Sequence, residues 1–261
     1  MMKVLLHEMT RGYFEKHLKA NPKAVAIIPL GSIEQHGPHL PLGSDSFSAL
    51  EKSIRIAELT DSFVVQPCLA GHSPHHLDFK GTISLKSDTL INVLMDTIES
   101  LKLHGILKVM FINCHQGNEH IIEYVAKEAR LRYNISIAFP RLPSLADRLK
   151  ERKYSNLDIH AGKGETSVML KVTPDLVEMS RVKDWKPSVK LKPELVDLIK
   201  KEPKGEIDKL LIETVLPQMS SEVTNTGVYG FSNPNEALVK KDDFEKSIEL
   251  LAEFVKRWKD F

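Results

Sequence analysis

The sequence predicts an α/β fold with a mostly parallel central sheet, and three observations predict it. Short β-branched runs alternate with longer segments of helical period along most of the chain, the pattern of successive βα units. The runs at 24–28 and 109–112 are apolar without interruption, as strands covered on both faces require. Chemically capable side chains gather just after these runs, where ligands sit in open α/β sheets.

In order, a first helix is expected over 11–18, followed by the strand Ala24-Val25-Ala26-Ile27-Ile28, which Pro29 ends. The segment 46–59 is helical, with Leu50, Ile54 and Ala57 at i, i+4 and i+7. Phe63-Val64-Val65 is the next strand. Asp88 caps a helix to Leu103 whose apolar stripe is Leu90, Val93, Leu94, Ile98 and Leu101. The buried strand at 109–112 precedes a helix over 119–132, and Ile135-Ser136-Ile137-Ala138-Phe139 is the fourth strand. Another helix starts soon after His160 and carries Val168-Met169-Leu170. Between 184 and 232, Pro187, Pro193, Pro203 and Pro217 break the pattern. With candidate helices at 194–201 and 208–215, this stretch reads as a peripheral insertion in a single domain spanning 1–261. An amphipathic helix over 242–256 docks back on the body.

Composition narrows the function. The 261 residues are 42% hydrophobic and 27% charged, enough for one sizeable core and too apolar for disorder. Lys+Arg and Asp+Glu nearly cancel, at 36 against 35, leaving no basic surplus for a phosphate backbone. The pair Lys240-Lys241 reads as a solvated face. Cys68 and Cys114 stand in no CxxC or Cys/His spacing, which favours a reducing compartment over a disulfide framework. The apolar start is too short for a secretory signal, and no run approaches the ~20 apolar residues of a membrane span. A cytoplasmic protein with neither membrane nor nucleic-acid partners is expected.

The eleven histidines all lie at or before His160, so the turns after the early strands hold the chemistry. Glu34 and His36 are two apart, which puts both side chains on one side of an extended segment. Glycines and prolines around them let Asp45 fold back beside the pair. Imidazole with carboxylates suits zinc, manganese or iron; the same residues also suit a polar surface loop. After the strand at 109–112 comes Asn113-Cys114-His115-Gln116-Gly117-Asn118, so His115 faces the same mouth. Cys114 reads as a small packing residue, with a soft ligand or nucleophile as the alternative. In His160-Ala161-Gly162-Lys163-Gly164-Glu165-Thr166-Ser167, small residues permit close backbone approach, and His160 and Glu165 frame a helix start. The alternative there is a capped helix, with Thr166 and Ser167 as caps and Glu165 supporting the dipole.

The segment Ile28-Pro29-Leu30-Gly31-Ser32-Ile33-Glu34-Gln35-His36-Gly37-Pro38-His39-Leu40-Pro41, followed by Asp45, closely resembles the signature of the creatininase family. Collinear matches follow at Gly71-His72-Ser73 with His76, at Phe79 before Gly81-Thr82-Ile83-Ser84, at the 113–118 and 160–167 segments, and at Gly227-Val228-Tyr229-Gly230 with Asn233-Pro234 and Ala237. The resemblance implies a three-layer α/β/α fold, two divalent metal ions per subunit (zinc, manganese or iron) and a homo-oligomer, often a hexamer. It implies that Glu34 and His115 bind one metal, His36 the other, and Asp45 both, with His160 handling a proton.

Two departures from the family pattern stand out. Gly117 replaces the glutamate that completes the second metal site in creatininase itself. Glu165 is the expected substitute, as ligand and as a catalytic residue beside His160, and Glu119 is expected to belong to the next helix. The only tryptophans are Trp185 and Trp258, so the ring-stacking tryptophans near the third motif are missing. Ser73, His76 and Gln116 are the candidate substrate contacts, while His72 and His75 read as ordinary loop histidines and His39 as lining or support. The expected activity is hydrolysis of a C–N bond in a small cyclic amide by metal-activated hydroxide. The alternatives are a formamide hydrolase acting on a pyrimidine-type intermediate, with Lys163, Arg141 and Lys80 as candidate phosphate clamps, and a non-catalytic metal-binding sensor.

Overall fold

Strand β1 (Ala26–Leu30) is buried at every residue because it is an inner strand of a wholly parallel sheet. In the computed structural model, which describes residues 3–141, 158–188, 190, 219–230, 233–237 and 241–261, the sheet order is β2 (Phe63–Val64), β1, β3 (Lys108–Asn113), β4 (Ser136–Ala138). Parallel neighbours require crossover connections, which cover both faces. On one face, Ala26, Ile28 and Phe111 meet Leu94, Ile98 and Val125 from α3 (Ser87–Leu103) and α4 (Glu119–Tyr133). Helix α1 (Arg11–Ala20) joins them through Phe14 and Leu18. On the other face, Ile27, Met110 and Ile112 meet Ile56, Ile248 and Val255, from α2 (Ser44–Leu59) and the C-terminal helix α6 (Lys241–Trp258). The fold is a three-layer α/β/α sandwich with a parallel central sheet.

Pro29 does not end β1, and the ladder explains why. Ile27 accepts a hydrogen bond from Val65 N, whereas Leu30 accepts from Cys114 N. Alternate residues therefore bond opposite neighbours, and Pro29 faces the β2 side. Its missing N–H shortens the β1–β2 pairing but leaves the β1–β3 ladder intact through Leu30 and Asn113.

Two features carry the remaining chemistry to the sheet's carboxyl edge. Helix α2 starts at Ser44, two residues before the expected start, so Asp45 lies in its first turn. Strand β5 (Asp158–His160) pairs antiparallel with β6 (Tyr229–Gly230) in a second small sheet and leads into α5 (Lys163–Val172). Helix α6 is fastened on α2 and α5 by Glu245, which receives both Arg55 and Lys171. The candidate helices at 194–201 and 208–215 lie outside the described residues. Among the described residues, no helix is long and apolar enough to cross a membrane.

Candidate metal centre

The loop after β1 turns directly against the start of α2. A Cβ on Gly31 would meet Ser46 N at 2.3 Å, so only glycine lets the strand end and the helix start lie this close. That contact brings Asp45 beside Glu34 and His36. His36 Nε2 lies 3.2 Å from Asp45 Oδ1, and His115 Nδ1 lies 3.3 Å from Glu34 Oε2 and 3.2 Å from Asp45 Oδ2. Ser32 Oγ donates to Asp45 Oδ2 at 2.8 Å, and the first-turn position adds favourable helix-end partial charge.

Backbone carbonyls fix the ring tautomers. His36 Nδ1 is 3.1 Å from Glu34 O, and His115 Nε2 is 3.1 Å from His72 O. A carbonyl only accepts, so these nitrogens carry hydrogens and leave His36 Nε2 and His115 Nδ1 facing the carboxylates, where a proton or a metal ion can bind. Likewise His160 Nε2 donates to Gln35 O at 2.7 Å. Its Nδ1 lies 3.8 Å from Glu34 Oε1 and 4.0 Å from Glu165 Oε2.

Glu165 reaches the cluster from the first turn of α5. Its Oε2 accepts from Ala161 N at 2.6 Å, and Ala161 holds φ at +53°, a left-handed conformation unusual for alanine. Thr166 and Ser167 do not cap α5: they sit inside it, and their hydroxyls bond back to Gly162 O and Lys163 O. The Gly117 departure also has a physical reason. A Cβ there would meet His72 O at 2.3 Å and His115 Nε2 at 2.4 Å, so no side chain fits and no carboxylate can come from this position.

Three overlapping groups able to hold a metal form among the described residues: Glu34, Asp45 and His115; His36, Asp45 and Glu165; and Glu34, His36 and His160. Asp45 belongs to the first two. At Glu34, His36, Asp45 and His115 burial opposes the charge, yet the opposite charges nearby prevail. His36 is lifted to about 10 by the charge and hydrogen bond of Asp45 with Glu165 and Glu34 behind it. His115 is raised well above its usual value by Glu34 and Asp45, while Glu34 and Asp45 are held below the carboxylate range by the facing histidines. Glu34 is wholly buried, and neither of its carboxylate oxygens has a hydrogen-bond partner. Such an anion is costly unless a cation lies against it. With two imidazole nitrogens turned inward, able to exchange a proton for a metal ion, the residues fit a divalent metal.

A cavity of about 990 Å³ opens over this cluster. Gln116 and His76 line it, as do His72 and His75. His76 Nδ1 is 3.0 Å from Gln35 Nε2 and 2.8 Å from Ser220 Oγ. The amide can only donate, so His76 carries its hydrogen on Nε2, 3.5 Å from Glu34 Oε1. Ser73, expected to touch substrate, is instead wholly buried, with its hydroxyl 3.2 Å from His115 Nε2; it backs the ring. His39 is also buried, its Nε2 on Thr166 Oγ1. Cys114 is at the wall, but burial pushes its thiol up, against a thiolate nucleophile. Trp185 packs beside Ala161 and Met169, and Trp258 beside the core under α6. Lys80, Arg141 and Lys163 are absent from the described cavity wall, and Arg141 pairs with Glu123. Sequence reasoning missed Lys52, Ser220 and Tyr229, all of which line it.

The fold and the cluster together define an α/β/α protein with a carboxylate–imidazole metal centre at the sheet's carboxyl edge. The family model described as creatinine amidohydrolase matches residues 7–258, and the chain belongs to this creatininase family of hydrolases. It is 30% identical over 203 residues to the creatinine amidohydrolase of Pseudomonas putida, covering 71% of this chain and 78% of that one. It is 28% identical to a 3-dehydro-scyllo-inosose hydrolase of Thermotoga maritima (70% and 58% of the two lengths). A mycofactocin precursor peptide peptidase of Mycolicibacterium smegmatis is 33% identical (58% and 59%). Among solved structures, a putative creatinine amidohydrolase from Bacteroides fragilis superposes with TM-score 0.72 at 23% identity, over 100% of this chain and 98% of that one.

Proposed function

We propose that this protein is a metal-dependent amidohydrolase that holds two divalent ions and cleaves a C–N bond of a small amide. One observation carries the reading: Glu34, Asp45 and His115 form one metal-fit group and His36, Asp45 and Glu165 a second, with the buried Glu34 carboxylate accepting no hydrogen bond. Glu34, Asp45 and His115 would hold one ion, and His36, Asp45 and Glu165 the other. When bound, such ions bring the pKa of water towards ~7 and polarise a carbonyl oxygen. The relatives named as an amidohydrolase and a peptidase support an amide-type bond.

The chain's own residues then supply proton handling and orientation. His160 Nδ1 accepts the proton of the attacking water and returns it to the departing nitrogen. Its Nε2–H remains on Gln35 O throughout, so the ring cannot turn, and Glu34 and Glu165 stabilise the imidazolium while it lasts. His76, neutral and bearing hydrogen on Nε2, donates towards Glu34 Oε1 or a substrate oxygen beside it. Gln116 stands exposed in the cavity wall as a further polar contact. The family resemblance further supports a homo-oligomer, often a hexamer, and the spacing of Cys68 and Cys114 supports a reducing, cytoplasmic compartment.

Elemental analysis of protein prepared without added metal tests the centre. Two ions per chain are expected, falling to one in Glu165→Gln. One ion in both proteins removes Glu165 from the ligand set and favours a sensor or a mononuclear enzyme. Screening of cyclic amides, formamides and short peptides follows from a positive result.

A further inference from the structure

The described cavity wall carries four carboxylates, Glu34, Asp45, Asp158 and Glu165, against one lysine, Lys52, and no arginine. Lys52 lies seven residues after Asp45 on α2, two turns along the same face. It is half-buried, with its Nζ 5.3 Å from the Phe244 ring centroid and 4.0 Å from Cys114 Sγ. A thiol is a weak acceptor and leaves the ammonium charge unanswered. The neighbouring cations are treated differently. Lys171 approaches the same ring at 5.3 Å, but it and Arg55 both reach Glu245. Among the described residues, no carboxylate comes within ion-pair distance of Lys52.

We propose that Lys52 binds an anionic group, a carboxylate or a phosphate, at the end of the substrate remote from the bond that is cut. The proposal rests on the hydrolase reading above and sharpens its substrate class. The substrate is an elongated amide with an anionic tail, not a small neutral ring. Seven residues of helix separate the Asp45 and Lys52 backbones by roughly 10 Å, so the anion is held at a point set apart from the reacting carbonyl. A half-buried ammonium with three donors and no carboxylate partner among the described residues suits such an oxyanion.

Calorimetry on the metal-loaded protein tests this with N-formylaminohexanoate, its primary carboxamide, N-formylaminohexyl phosphate and the short analogue N-formylglycine. Wild type should bind the long carboxylate about tenfold or more tighter than its carboxamide, the scale of one charge-assisted hydrogen bond. That ratio should fall to near one in Lys52→Met and persist in Lys52→Arg, with circular dichroism and metal content confirming intact proteins. N-formylglycine is too short to span both ends, so any preference for its carboxylate should not depend on Lys52. Tighter Lys52-dependent binding of the phosphate than of the carboxylate assigns the tail as phosphate; the reverse order assigns carboxylate. A ratio unchanged in Lys52→Met, or no preference in wild type, overturns the proposal and leaves Lys52 as a counter-charge to the carboxylates. Binding is read without turnover. Lys52-dependent affinity with no hydrolysis of any probe therefore counts against the hydrolase reading and not against the anion site.

Discussion

The two halves of the metal centre are built on different kinds of support. Glu34, Asp45 and His115 are all buried and come from loops at the ends of β1 and β3 and from the first turn of α2. Glu165 has 36% of its side chain exposed and reaches in from α5, across the left-handed turn at Ala161. Ligands set on adjacent parallel strands are preorganised by the ladder itself. A ligand on a separate helix depends on the turn before it, so on the two-ion reading the Glu165 half is expected to release its ion first.

Breaking the shared member should have the largest effect. Asp45→Asn removes a carboxylate from both halves, so both ions should be lost and kcat/KM should fall by about a thousandfold or more. His160→Ala should cost activity on a similar scale while both ions stay in place. Elemental analysis alongside kinetics separates the two outcomes. Loss of an ion from His160→Ala would move that residue from proton handling into the ligand set, in line with its grouping with Glu34 and His36.

A smaller effect lies in the pH dependence of stability, which separates ligand histidines from the rest. Burial lowers His39 and His75 to about 4 and His76 to about 2. As pH falls below ~6.5, the unfolded chain takes up protons that these folded rings refuse, and stability is lost. His36, lifted to about 10, and His115 behave in the opposite sense. Their contribution is complete below ~6.5 and disappears as pH rises towards 10. Chelator-treated protein should therefore melt highest near pH 6.5 and lower on both sides. Ions take the place of the two protons, so with metal the alkaline decline should vanish while the acid decline remains. An unchanged alkaline limb after metal addition would separate His36 and His115 from ion binding.

The same contrast governs what the sequence discloses. The first half was legible because Glu34 and His115 follow runs whose continuous apolarity marks them as central strands, and the family motif supplies Asp45; His36, of the other half, shares the Glu34 loop. Glu165 emerged by elimination at Gly117, and the structure adds the reason: the 117 backbone is pressed against His115. The opposite wall was hidden. Ser220 and Tyr229 lie in a stretch where prolines break the periodicity, and the placing of Ser220 on His76 and of Tyr229 opposite His160 exists only in three dimensions. Lys52 reads on a helix as one more solvated lysine, and only the meeting of α2, α5 and α6 makes it a cavity residue. Lys80, Arg141 and Lys163 were named for charge near a motif, which says nothing about direction. Pro29 misled for a related reason: a proline stops a ladder only on the side its nitrogen faces.

The smallest expected effect concerns what stands behind a ligand. His115 Nε2 has two acceptors within reach, His72 O at 3.1 Å and Ser73 Oγ at 3.2 Å, and only one hydrogen to give. Partners of this kind typically change metal affinity by about 10–100-fold when removed. Ser73→Ala leaves the carbonyl in place, so the ring keeps its tautomer and its direction. Metal affinity, read by competition with a chromogenic chelator, should then weaken by less than about tenfold, and only for the ion held by Glu34, Asp45 and His115. A larger loss would mean that the hydroxyl, and not the carbonyl, fixes the ring. A loss shared with the Glu165 half would mean that the two halves are coupled through Asp45 more tightly than their different supports imply.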